Sequence, residues 1–470
     1  MSSNFQLTKF PVGTIREVWS MSWPLMLGLI SNSLMIFVDR LLLSWHDPAE
    51  FNAVANAGMA SYVFLVLPIS VCAISEVLVG RLHGEGRSDE IAKPVWQMIW
   101  FSLMLTMPML LISYYAPALI FYQTGNELNE TTYFKVLIRF APILCMMISL
   151  SGFFIGIGKV KIVSRCVIAG NLINIFLGYL LIFGGGPIPS LGIFGAALAT
   201  GISQVFQAIV LLGCFLSKGY RHEYNTTQFD FNLSYFREAL RIGTPSGLGH
   251  AIEVVAHFIF FRIVMMAGSE QLTVAALVQS FYLLFGFVCE ALSKGVGAIV
   301  ANLIGAREFV LIKRVFWSAI KLHTLFFSVI FGMMWLFPDV LLNLFFSSEN
   351  SSILLDPSLK ILAAQAMLWM GVFFLFDGFS WILIGQLTAA GDVKFIFYVS
   401  IVINWLVYVL PVYLLIGWGG KGANYAWMII ALSGMVNFMI YFQRYYSGKW
   451  LQEFQKPKND DWEELPDVSS

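Results

Sequence analysis

An all-α polytopic membrane protein, with about twelve transmembrane helices in two six-helix lobes related by a pseudo-two-fold axis along the membrane normal, is what this sequence predicts. Three observations carry that prediction. First, 58% of the 470 residues are hydrophobic and only 12% are charged, with a mean hydropathy of +0.76. A soluble domain cannot bury so much apolar surface, whereas a bilayer is an apolar solvent for it. Second, apolar runs long enough to cross a membrane occur at 18–44, 53–80, 95–121, 132–156, 162–184, 191–217, 239–266, 272–303, 311–336, 359–388, 394–416 and 422–445. Third, the second half repeats the first. Pro24 recurs 221 positions on as Pro245, and the same offset carries Gly84 onto Gly305. A further shift of 12 positions pairs Gly158-Lys-Val-Lys with Gly391-Asp-Val-Lys, Asn171 with Asn404 and Gly184 with Gly417.

Six helices per repeat is an even number, so both copies enter the membrane in the same sense. Parallel repeats with a site at their interface are a hallmark of secondary transporters. The units read as an N-terminus at 1–17, an N-lobe at 18–217 (helices 1–6), a linker at 218–238, a C-lobe at 239–446 (helices 7–12) and a tail at 447–470. The segment from Lys456 to Ser470 is polar and acidic, and its composition predicts disorder.

Lysine and arginine orient the chain. The first, third, fifth, seventh and ninth connections carry none, whereas the alternate loops hold Arg81, Arg87 and Lys93; Lys159, Lys161 and Arg165; Lys218, Arg221, Arg237 and Arg241; Arg307, Lys313 and Arg314. Both termini fall on the basic side, which the rule assigns to the cytoplasm. The first apolar run exceeds the h-region of a cleavable signal and is expected to stay as a membrane helix. A net charge of zero implies no attraction to nucleic acid. Cys72, Cys145, Cys166, Cys214 and Cys289 lie in apolar runs without a Cys-x-x-Cys spacing and read as small buried residues. The six histidines are scattered, without a metalloprotease-type motif, which argues against an intramembrane enzyme and a resident metal.

Ionisable residues inside membrane helices cost about 2.5–3.5 kcal/mol or more each and mark functional sites by default. The sequence has few: Asp39 with Arg40, Glu76, Glu253, Arg262, Glu290 with Lys294, and Asp377. Glu290 and Lys294, four apart, read as an ion pair on one helix face. Arg262 lies near a helix end and can snorkel, and Glu76 reads as a partner of Arg81. Asp39, Glu253 and Asp377 lack an obvious local partner and are the candidates for binding a proton or a sodium ion. Arg40 can pair with Asp39 or point away from it. Asn171 and Asn174 on the fifth helix and Asn404 on the eleventh can coordinate a hard cation or hydrogen-bond between helices. His250 and His257 flank Glu253, with His257 four residues on and on the same face.

The order of these motifs resembles the multidrug and toxic compound extrusion (MATE) family, within the wider group of lobe-duplicated exporters and flippases. Trp-Pro24 followed by Val38-Asp39 is similar to that family's first helix, and Gly243-Thr-Pro245 followed by Ile252-Glu253-Val254 to its seventh. Val300-Ala-Asn-Leu-Ile-Gly305, Asp377 with Gly385 and Gly391-Asp392, Gly158 with Asn174 and Gly184, and Gly195-Ala-Ala-Leu-Ala-Thr200 extend the resemblance across most of the chain.

The resemblance implies a secondary antiporter of a bacterial inner (plasma) membrane, acting as a monomer without a cofactor. It would export amphipathic, cationic organic compounds in exchange for Na+ or H+ by rocking two lobes around a central cavity, with the small organic substrate and membrane lipid as its partners. It places ion coupling at Glu253, Asp377 and Asp39, with support from Asn174, Thr200 and Asn171, and the substrate cavity at Glu253, Asp377 and Asn404. Two departures touch the N-lobe: Gly178 stands where the family commonly has a second Asn or Asp, and Arg40 where a small polar residue is usual. Both shift the expected ion site toward Glu253 and Asp377. The other function on the same architecture is a lipid-linked oligosaccharide or peptidoglycan-precursor flippase, which needs a cationic cavity from Arg40, Arg139, Arg262 and Lys294.

Overall fold

The computed structural model describes residues 6–185, 187, 189–336, 357–422 and 424–455; the acidic tail from Lys456 lies outside them. Twelve described helices are long and apolar enough to cross a membrane. They are α1 (Ile15–His46), α2 (Pro48–Gly84), α3 (Ser88–Ile120), α4 (Glu127–Gly156), α5 (Val160–Phe183) and α6 (Gly192–Phe215), then α7 (Leu233–Met266), α8 (Ser269–Gly305), α9 (Phe309–Leu336), α10 (Pro357–Ala390), α11 (Val393–Trp418) and α12 (Asn424–Tyr446). Most overrun the apolar stretch that announces them, because helix continues through polar residues at the membrane boundary. Thus α7 begins at Leu233, six residues before its apolar run, and the linker retains a short helix, Lys218–Tyr224.

The ends are made locally. Thr14 accepts the Glu17 N–H to start α1, and Asp47 accepts the Ala49 N–H to start α2, whose first residue is Pro48. Pro at that position sacrifices no intrahelical bond. Pro24, Pro68 and Pro245 interrupt the interiors of α1, α2 and α7, where each removes one N–H from the helical ladder. Helix α11 is π-helical over Val402–Val409 and Tyr413–Trp418.

The offset of 221 read in the sequence is a spatial symmetry. A Cβ on Gly84 would strike the carbonyl oxygen of Asn302, and a Cβ on Gly305 would strike that of Arg81. Arg81 and Asn302 are themselves 221 apart, so these are one contact repeated by a two-fold rotation. Likewise Gly243 of α7 packs on Ile74 of α2, and Gly295 of α8 packs on Ser22 of α1. Glycine is required here because backbone approaches backbone with no room for a side chain.

The core is divided in a telling way. On the basic side one apolar cluster draws on both lobes, from Val18 and Leu78 to Val300 and Ile382. Toward the opposite face the core separates into two. One lies in the N-lobe around Leu43, Phe134 and Ile193; the other lies in the C-lobe around Phe260, Met367 and Trp427. The lobes are joined at the basic end and separately packed beyond it, so the molecule is a V that opens away from the basic loops.

Candidate functional site

The N-lobe acid sits among oxygens. Asp39 of α1 is 5% exposed, and its carboxylate takes a hydrogen bond from the Asn174 side chain of α5. The Asn174 side-chain amide donates to Thr200 Oγ1 on α6 at 3.2 Å. Asp39 Oδ1 and Asn174 Oδ1 are both buried, and no donor among the described residues reaches either. Position 178 points at the same spot: a Cβ on Gly178 would lie 3.3 Å from Asp39 Oδ1. Arg40 is exposed and makes no ion pair with Asp39 among the described residues. Successive helix residues diverge by about 100°, which turns Arg40 away from Asp39. Asn171 is not part of this cluster; its amide donates to Ser31 Oγ of α1 at 3.0 Å.

The C-lobe acids are arranged differently. Asp377 of α10 is 8% exposed and accepts from the Tyr282 hydroxyl of α8 at 2.8 Å, with Trp381 also beside it. Glu253 of α7 lies within electrostatic range of Asp377, but its side chain is 40% exposed, and His250 Nδ1 stands 3.6 Å from its carboxylate. His250 in turn stacks on Trp381 with ring centroids 5.9 Å apart. His257 bonds the backbone carbonyl of Glu253 at 2.9 Å, so the histidine on the carboxylate is His250. Asn404 donates to the Ser400 carbonyl one turn back on its own helix and does not join Glu253 or Asp377.

Helix α8 carries the expected ion pair, Lys294 Nζ to Glu290 Oε1 at 2.6 Å. Both side chains are about 41–42% exposed, although 83% of the membrane-crossing window of α8 is buried. A charged pair on so enclosed a helix is accessible only where the lobes part, so it lines the cleft. Tyr62 of α2 lies within electrostatic range of Glu253, Glu290 and Lys294 from the N-lobe side.

The pairing of Glu76 with Arg81 does not form. Five residues turn about 140° around a helix, which puts the two on different faces. Arg81 instead crosses to the C-lobe, where Nε donates to the Ala389 carbonyl at 2.8 Å and Nη1 meets Glu238 at 3.3 Å. The four cations that a pyrophosphate site would use are separately engaged or exposed. Lys294 is paired, Arg262 lies over the Phe258 ring at 5.6 Å, Arg139 approaches Ser113 Oγ at 3.5 Å, and Arg40 is exposed. Sequence reasoning missed Tyr282, Trp381, Tyr62 and Ser31. Single aromatic and hydroxyl residues in apolar runs carry no spacing signal, and only helix packing brings them to the acids.

Two parallel six-helix repeats, a V-shaped cleft and acids within membrane-crossing helices on both sides of it define a duplicated multi-pass membrane transporter, not an enzyme. The MatE family model matches residues 24–180 and 245–414, two stretches beginning at the repeat-related Pro24 and Pro245, and the chain belongs to that family. It is 23% identical over 464 residues to the uncharacterized transporter YisQ of Bacillus subtilis, covering 95% of this chain and 97% of that protein. It is 24% identical over 431 residues to a probable multidrug resistance protein NorM of Pseudomonas syringae pv. tomato, covering 89% and 92%. A MOP superfamily transporter from Pyrococcus furiosus, described as having a binding pocket of reverse polarity, superposes with a TM-score of 0.86 at 18% identity, over 97% of this chain and all of that one. The outward-facing conformation of a multidrug resistance MATE family transporter superposes with a TM-score of 0.85 at 18% identity and the same coverage.

Proposed function

We propose that this chain is a cation-coupled antiporter that exports amphipathic, cationic organic compounds in exchange for Na+ or H+. The observation that carries the reading is the pair of buried oxygens, Asp39 Oδ1 and Asn174 Oδ1, that face one another's neighbourhood with no donor. Two acceptors held in an apolar lobe are costly unless a cation or a proton lies between them. Thr200 Oγ1, next to Asn174, supplies a third oxygen of the kind a hard cation takes. This moves the weight of ion coupling from Glu253 and Asp377 to Asp39, whose Oδ1 stays open although Asn174 reaches the carboxylate, whereas Asp377 has Tyr282 and Glu253 has His250.

The accessible cleft carboxylate suits the other cargo. Glu253 lies near Tyr62, Trp381 and His250 and offers an organic cation both charge and ring faces, while Glu290 is neutralised by Lys294. With the basic loops cytoplasmic, as the charge asymmetry implies, the V is outward-facing. An external cation entering at Asp39 would favour closure of the N-lobe, release the cargo outward, and let the lobes rock to the opposite state. Coupling requires only that ion and cargo favour different states.

Thermal unfolding of the purified chain in NaCl against choline chloride, and across pH, tests the reading. A ligand at one hundred times its Kd stabilises by about 2.7 kcal/mol, so Na+ or acid is expected to raise Tm in the wild type and leave Asp39→Asn unmoved. A wild-type Tm indifferent to both would sink it.

A further inference from the structure

On the basic side, away from the cleft, the segment before α1 and the start of α9 flank an open groove of about 820 Å³. Its walls carry Arg16, Lys313, Arg314 and Lys321, with Trp317 between them and no acidic residue in the lining. All four cations are exposed, and none has an ion pair among the described residues. The nearest acid on the wall's own helix, Glu17, is buried and engaged by the Gly13 N–H at 2.7 Å. The groove is built, not incidental to a loop. Ser318 Oγ donates to the Gly13 carbonyl at 2.6 Å, and Gly13 lies against the Arg314 Cβ with no space for a side chain. One wall thus comes from each lobe.

A second observation says what fits it. Along α9 exposed residues at four-residue spacing run Lys313, Trp317, Lys321, then Leu325, Val329 and Met333, winding about 40° round the helix at each step. The first three span about 12 Å of helix and the last three continue into the apolar zone. The run therefore passes from cation through an interfacial indole to aliphatic surface. That is the polarity profile of one phospholipid, anionic head first and acyl chains after.

We propose that this groove holds the headgroup of an anionic phospholipid, whose phosphate is met by Arg16, Lys313, Arg314 and Lys321 and whose chains lie along Leu325, Val329 and Met333. A lipid seated there touches both lobes at the end where they are joined.

Native mass spectrometry of the full chain, exchanged from vesicles of phosphatidylglycerol or of phosphatidylcholine, tests this. Wild type is expected to retain phosphatidylglycerol preferentially. Near an anionic surface each Lys or Arg contributes about a fivefold gain. The triple change Lys313→Gln, Arg314→Gln, Lys321→Gln is therefore expected to lower retention by about 100-fold, and Lys321→Gln alone by about fivefold. A triple change elsewhere on the basic face, Lys159→Gln, Lys161→Gln, Arg165→Gln, is expected to retain the lipid as wild type does. Equal retention of both lipids, equal loss in both triple variants, or displacement of phosphatidylglycerol by inorganic phosphate would overturn the proposal. The single Lys321→Gln change keeps the test decisive if the groove triple does not fold.

Discussion

The two lobes share a scaffold and do not share a site. At offset 221, Gly84 and Gly305, Ser22 and Gly243, and Ile74 and Gly295 make matching contacts across the two-fold axis. At the same offset, Asp39 corresponds to Phe260 and Glu253 to Asn32. At the second offset, Asn174 corresponds to Val407, Thr200 to Ser433 and Asp377 to Leu144. Gly84 and Gly305 are thus kept in both copies, whereas no charged site residue is: Asp39 and Asp377 have apolar counterparts, and Glu253 has the neutral Asn32. Packing constrains both copies equally, because the axis runs through the contact. The acids are free of that constraint and have specialised: the N-lobe acid is buried beside Asn174 with one oxygen that no described donor reaches, and the C-lobe sets a buried Asp377, bonded by Tyr282, near an accessible Glu253.

This contrast can be broken at several points. The largest expected effect is on the shared scaffold. Gly84→Ala and Gly305→Ala each drive a methyl into a facing carbonyl and are expected to destabilise by about 1–3 kcal/mol, as overpacking does. The symmetry account requires the two losses to agree within about 0.5 kcal/mol, as read by thermal unfolding in detergent; one large and one negligible loss would contradict it. An effect of similar size, on binding and not on folding, is expected from Tyr282→Phe, which removes the hydroxyl bond to Asp377. Hydrogen bonds to charged groups are worth about 1.5–3 kcal/mol, so cargo affinity is expected to fall about tenfold or more in a binding assay. Ion-dependent stabilisation, assigned to the other lobe, is expected to stay. The smallest effect is expected from Glu290→Gln. Its pair with Lys294 is accessible in the cleft, and accessible pairs contribute about 0–1 kcal/mol, so efflux is expected within about fivefold of wild type. A complete loss there would move the cargo site onto α8.

Much of this was legible in the residues alone. Length, hydropathy and the two offsets specify twelve helices in two parallel repeats, because spanning helices and duplicated packing leave signals along the chain. The acids Asp39, Glu253 and Asp377 stand out for the same reason, since charge is rare in lipid-spanning segments. What the chain hides is which neighbour each acid meets. The i+4 rule found Glu290 with Lys294, a contact within one helix. It could not find Asp377 with Tyr282 or Asn174 with Thr200, which are contacts between helices. The same limit explains Arg81, whose partners Ala389 and Glu238 lie more than 150 residues away in the other lobe.

The most direct measurement is efflux of a fluorescent organic cation from proteoliposomes, with Na+ and H+ gradients imposed separately on wild type, Asp39→Asn and Glu253→Gln. The account predicts that one gradient drives wild-type efflux, that Asp39→Asn loses the response to the gradient, and that Glu253→Gln responds to it with weakened cargo affinity. Wild-type efflux indifferent to both gradients, or an Asp39→Asn variant that still follows the gradient as wild type does, would contradict it.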